Sequence, residues 1–218
     1  MERISVIEDY MIDYSDVRKK SLAAAKQLGY PVNGALPLLD QLAVVRTADE
    51  VVDRILAMLC TAASAYGFDN QKATAWLGRE AKVDLLTDAE RGHLRTKAGD
   101  RRSFTIQIEG MWALAWSIHS VPTLDFGEPC PQDFVTRLPD LKGNGSSREF
   151  RDTANVRQAS EIISACDLAY CLHWAIRDAQ LRNVKVPGKV EDYVVVERRR
   201  ALEWLLADEP WEGISLDT

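Results

Sequence analysis

No stretch of this 218-residue chain is apolar for long enough to span a bilayer, and no secretory charge–apolar–cleavage pattern opens it. Cysteine is scarce. Cys60, Cys130, Cys166 and Cys171 form neither a CxxC nor a disulfide framework. Three of them lie in apolar, helix-forming contexts, where a thiol serves as a small hydrophobe. The expectation is a reduced, cytoplasmic protein. Positive charge is short as well: 27 Lys and Arg stand against 33 Asp and Glu, a formal net charge of −6 with a pI near 5.2. That balance offers no pull toward nucleic acid or anionic membrane. The three histidines are scattered, with no HExxH and no Cys/His ligand spacing, so neither a metal nor a cofactor is expected. There is no GxSxG nucleophile elbow, and Gly143-Asn144-Gly145 neither follows a strand nor opens a helix. These absences argue against an enzyme without excluding one.

What the chain does have is helix. At 46% hydrophobic and 28% charged residues, its composition is that of an ordinary globular domain. A first helix is expected over 15–28, closed by Gly29 and Pro31. Thr47–Glu50 and Thr87–Glu90 both read as capping boxes. The helix after the first carries Val52, Ile55, Leu56, Leu59, Ala62 and Tyr66 on one side. Asp69 can cap a shorter helix through Leu77 and on toward Leu86. Ile106–His119 and Ser160–Arg182 are apolar on nearly every side, which demands burial on every side. A last helix is expected from about Val190 to Ala207. The architecture predicted is all-α: one compact multi-helix domain over 1–218, with two fully buried central helices. One long flexible loop at about 141–157 and an acidic tail over 207–218 complete it.

Ionisable groups inside apolar helices are costly to bury alone, so they mark the candidate site. They are Glu109, Asp167, His173, Arg177 and Arg198, with Tyr170 on the same helical side as His173 and Arg177. A guanidinium on a buried face needs a carboxylate or several carbonyls, and Asp167 or Glu109 is the expected partner of Arg198. The same residues admit two readings: ion pairs that lock helices together, or a polar pocket able to bind a ligand or act as an acid–base pair. Of the basic run Glu197–Arg200, Arg199 and Arg200 are expected in solvent. His93 is expected on the surface, and Trp112, Trp116, Trp174 and Trp204 in the core.

The blocks IEGMWALAWSIHSV and ISACDLAYCLHWAIRDAQL, with the ending VVVERRRALEWLL…WEGISLDT, resemble the bacterial family known as domain of unknown function 4272. The resemblance runs from about Ser15 to Thr218. It implies an all-helical domain and no activity, and it places Glu109, Trp112, Trp116, Asp167, His173, Trp174, Glu197 and Arg198 in the blocks by which such proteins are recognised. The functional expectation is a non-enzymatic interaction protein. A basic protein partner fits it, such as a toxin domain neutralised by an immunity protein, with neither nucleic acid nor membrane. The alternative is a small-molecule binder or enzyme using the polar pocket. The oligomeric state is left open.

Overall fold

A computed structural model describes residues 12–39, 45–81 and 85–218, and those residues contain helices and turns but no strand. The α-helices are α1 (Tyr14–Gln27), α2 (Ala48–Ala65), α3 (Asn70–Glu80), α4 (Asp88–Thr96), α5 (Arg101–Ile106), α6 (Ile108–Ser117), α7 (Arg148–Asp152), α8 (Ala159–Leu181) and α9 (Asp192–Leu206). The all-α expectation holds. The residues group into two compact units, one of Met1–Arg46, Leu124–Pro129 and Arg157–Thr218, the other of Thr47–Thr123 and Cys130–Val156.

Unit 1 is built on α8, which packs against α1 and α9. Arg18, Ser21 and Ala25 form the buried face of α1. Two of the three are small, which lets the helix backbone approach α8 closely. Gly29 at φ +86° turns the chain out of α1, and Tyr30 N–H closes back on the Ala25 carbonyl at 2.9 Å. No residue of α8 is exposed between 165 and 176, whereas Ser164, Arg177 and Leu181 are. Its burial is therefore central rather than complete.

Unit 2 centres on α2 and α6. Both expected capping boxes form: Thr47 with Glu50 starts α2, and Thr87 with Glu90 starts α4. The one-sided helix expected after Thr47 is buried all round from Val51 to Ala62. The single helix expected to His119 is two, broken at Gln107, where ψ relaxes to −13°. Asp100 caps the first piece by accepting from Arg102 N–H at 2.9 Å, so α5 begins inside what looked like a polar turn. The stretch expected as a flexible loop carries the five-residue helix α7, which one side chain ties to its surroundings. Arg151 donates to Asp53 at 2.6 Å, to Asp49 at 3.1 Å and to the Glu80 carbonyl at 3.0 Å.

Candidate functional site

The polar interior of unit 1 is a chain of guanidiniums and acceptors around Tyr170. Arg18 Nε reaches both oxygens of Asp167 at 3.1 Å, and its Nη2 reaches Oδ1 at 2.7 Å. The remaining donors go to the Leu36 and Pro37 carbonyls, each at 2.8 Å. The pair is almost dry, with side chains 5% and 3% exposed. Arg18 and Arg199 both lie over the Tyr170 ring, 5.5 and 4.8 Å from its centre. Cation–π contact of this kind favours Arg over Lys because the flat, weakly hydrated guanidinium loses little on leaving water.

Arg199 is the residue the sequence misplaced. Expected in solvent, it is 3% exposed. Its Nε donates to Glu203 at 3.1 Å, its Nη1 to His173 Nδ1 at 2.7 Å and to the Leu216 carbonyl at 3.1 Å, and its Nη2 to the Asp217 carbonyl at 2.9 Å. The signal was available, since buried Val195, Leu202 and Leu206 stand four before, three after and seven after it on one row of α9. A guanidinium has no acceptor, so His173 Nδ1 takes the bond with its lone pair and the ring is neutral. Burial drives the His173 pKa down to about 4, and Arg199, Arg177 and Arg200 push the same way.

The other predicted site residues have these surroundings. Arg177 is exposed and donates to Gln180 Oε1 at 2.8 Å, so it lies outside the polar interior. Arg198 is fully buried. It donates to the Asp125 carbonyl and, at 3.0 Å, to the Glu128 carbonyl, with its guanidinium over Phe126. Asp167, one of the two acids expected to meet Arg198, is held by Arg18 instead. The reason is geometric: α1 delivers a guanidinium to α8 from a face whose other buried residues, Ser21 and Ala25, are small. Glu109 is buried and accepts from Cys130 N–H at 3.0 Å. Trp174 is half-buried, whereas Trp112, Trp116 and Trp204 are core as expected, joined by Trp76 and Trp211.

Unit 2 has a buried pair of its own. Arg54 holds both oxygens of Glu90, with both side chains 1% exposed. His93, expected at the surface, is buried against Phe104 with ring centres 4.3 Å apart, and its Nδ1 lies 3.0 Å from the Ala98 carbonyl. Among the described residues no group of three or more His, Cys, Asp or Glu side chains is placed to hold a metal, and no helix is long and apolar enough to cross a membrane.

An all-helical chain with buried Arg–carboxylate pairs is the class that these observations define. The chain belongs to the family described as a domain of unknown function, DUF4272, whose profile matches residues 18–214. No curated protein and no solved structure matches it. Arg18, Asp167, Tyr170, His173 and Arg199 all fall within the matched span, whereas the Leu216 and Asp217 carbonyls that cover Arg199 lie beyond it.

Proposed function

We propose that the protein is a non-enzymatic binding protein whose C-terminal segment presents an acidic surface to a basic protein partner. One observation carries the reading. The backbone of that segment is held from beneath while its carboxylates face solvent. Arg46, stacked 4.5 Å from the Trp204 ring centre, donates to the Glu209 carbonyl at 2.6 Å. Arg199 takes the Leu216 and Asp217 carbonyls, and Trp211 packs edge-on against Trp204. Asp208, Glu209, Glu212 and Asp217 are exposed along the segment so fixed. An ordered array of like charge steers an oppositely charged partner and reduces the ordering cost of binding. A toxin domain of basic character is one such partner, and a cytoplasmic, bacterial setting goes with that role. Of the other stretches with this potential, 1–11 lie outside the described residues, and 141–157 is committed to the Arg151 contacts.

The catalytic alternative requires His173 to exchange protons with a ligand. Its Nδ1 lone pair is engaged by Arg199, and its basicity is suppressed far below neutrality. A base that holds no proton until about pH 4 is poorly matched to proton transfer near neutral pH.

The test is affinity capture of the partner, followed by association kinetics with Asp208→Asn, Glu209→Gln, Glu212→Gln and Asp217→Asn combined. The association rate should fall and lose most of its dependence on salt, because screening acts over about 8 Å at physiological ionic strength. An unchanged rate and an unchanged salt slope would overturn the reading.

A further inference from the structure

One groove of unit 2 gathers ionisable side chains that are exposed rather than buried. It has a volume of about 590 Å³ and runs between the end of α6, the 3₁₀ turn Phe134–Arg137 and α7. Its apolar lining includes Ile118, Leu138 and Phe150. Three ionisable side chains line it without a hydrogen bond or ion pair among the described residues: His119, Arg137 and Glu149. Arg137 and Glu149 carry opposite charge and share one small groove, yet they do not approach within salt-bridge distance of each other.

Both groups stand on fixed supports. The turn bearing Arg137 is pinned by Phe134, which is fully buried and meets Trp112 edge-on at 5.0 Å. Glu149 is carried by α7, which Arg151 ties to Asp49 and Asp53. His119 holds the left-handed conformation, φ +60°, as the chain leaves α6 along the groove. It is the left-handed stop of α6, with His119 N–H donating to the Trp116 carbonyl at 3.1 Å and Ser120 N–H to the Ala115 carbonyl at 2.9 Å. A fourth group, Asp140, already accepts from Gly143 N–H at 2.8 Å.

We propose that this groove binds a small zwitterion of the amino-acid type. Its carboxylate would be taken by Arg137 and His119, its ammonium by Glu149, and its apolar side chain by the Ile118–Leu138 floor. The mixed charge selects this class. A simple anion would leave Glu149 facing like charge, and a simple cation would leave Arg137 doing the same; a ligand with both charges meets both groups. A free amino acid and a short peptide share this chemistry.

The experiment titrates the full chain with leucine, phenylalanine, the dipeptide Leu-Leu, N-acetyl-leucine and leucinamide, read by calorimetry and by shift in Tm. The zwitterions should bind with Kd values in roughly the micromolar to millimolar range, as suits an open groove. The two capped forms should bind about tenfold more weakly or worse, since each lacks one charge-assisted contact. Leucine against Leu-Leu decides which source the groove prefers. Arg137→Gln should erase the preference for leucine over leucinamide, and Glu149→Gln the preference over N-acetyl-leucine. Both side chains are exposed, so neither change threatens the fold. No binding by any zwitterion, equal binding of the capped forms, or variants that leave both preferences intact would each overturn the proposal.

Discussion

The Arg18–Asp167 pair of unit 1 and the Arg54–Glu90 pair of unit 2 are both almost dry, and they differ in what else the acid does. In unit 2, Glu90 is also the third residue of a capping box. Its Oε2 accepts both the Thr87 N–H at 2.9 Å and Arg54 Nη1 at 2.9 Å. In unit 1, Asp167 sits in mid-helix and has no part in local backbone structure. The acid of unit 2 thus ties local structure to tertiary structure, whereas the acid of unit 1 has a tertiary role alone. Local duty leaves a trace in sequence; tertiary duty leaves only an anomaly.

The largest expected effect tests that difference. Glu90→Ala strands Arg54 and also removes the acceptor of Thr87 N–H, which should cost about 5 kcal/mol, the buried pair plus part of a capping box. Asp167→Ala strands Arg18 only and should cost roughly 3–5 kcal/mol. Chemical denaturation of both variants ranks them; a more damaging Asp167→Ala would reverse the comparison. Replacing both partners sharpens it. Arg18→Met with Asp167→Leu should recover to within about 1 kcal/mol of wild type, because no charge is left buried. Arg54→Met with Glu90→Leu should stay lower by the lost acceptor of Thr87 N–H, about 1 kcal/mol further.

A smaller effect separates the units by pH. His173 stays neutral when folded, down to about pH 4, but takes up a proton near its ordinary value of about 6.5 when unfolded. Its contribution is therefore complete above about pH 6.5 and is lost as the pH falls toward 4, at up to about 1.4 kcal/mol per pH unit. His173→Gln keeps an acceptor for Arg199 and removes the titration, so its denaturation midpoint should respond less to pH across that window. An identical response in wild type and variant would remove His173 from the account.

The smallest perturbation is chemical labelling, which leaves the fold untouched. Burial raises the Cys60 thiol to about 12 and the Cys171 thiol to about 11, and drives Cys166 well up. Only Cys130 is partly accessible. It should react first with a thiol reagent in native protein, the other three following only on unfolding. Prompt labelling of all four would contradict the packing of both units.

The caps, glycine stops and helix ends were legible because each is a statement about three or four neighbouring residues. Thr47, Asp69, Thr87 and Gly29 all act as read. The buried polar residues were legible as anomalies, since an acid or imidazole in an apolar helix is conspicuous: Asp167 and His173 stood out. Their partners did not. Arg18 lies on a basic, alanine-rich helix where one more cation attracts no notice, and its burial depends on the smallness of Ser21 and Ala25. Arg199 was hidden by its neighbours, because a run of three arginines reads as a solvated face until its row along α9 is traced. Arg137 and Glu149 carry no signal at all in sequence. Their significance lies in a groove formed by segments that only folding brings together.

The grip on the C-terminal segment has a consequence for how this protein can diversify. Arg46 and Arg199 hold main-chain oxygens at Glu209, Leu216 and Asp217, and a carbonyl is the same whatever side chain stands beside it. With Trp211 and Ile214 kept as the buried anchors, the outward positions form an interchangeable cassette. Their lettering can be rewritten, by evolution or at the bench, while the frame that displays it stays as it is.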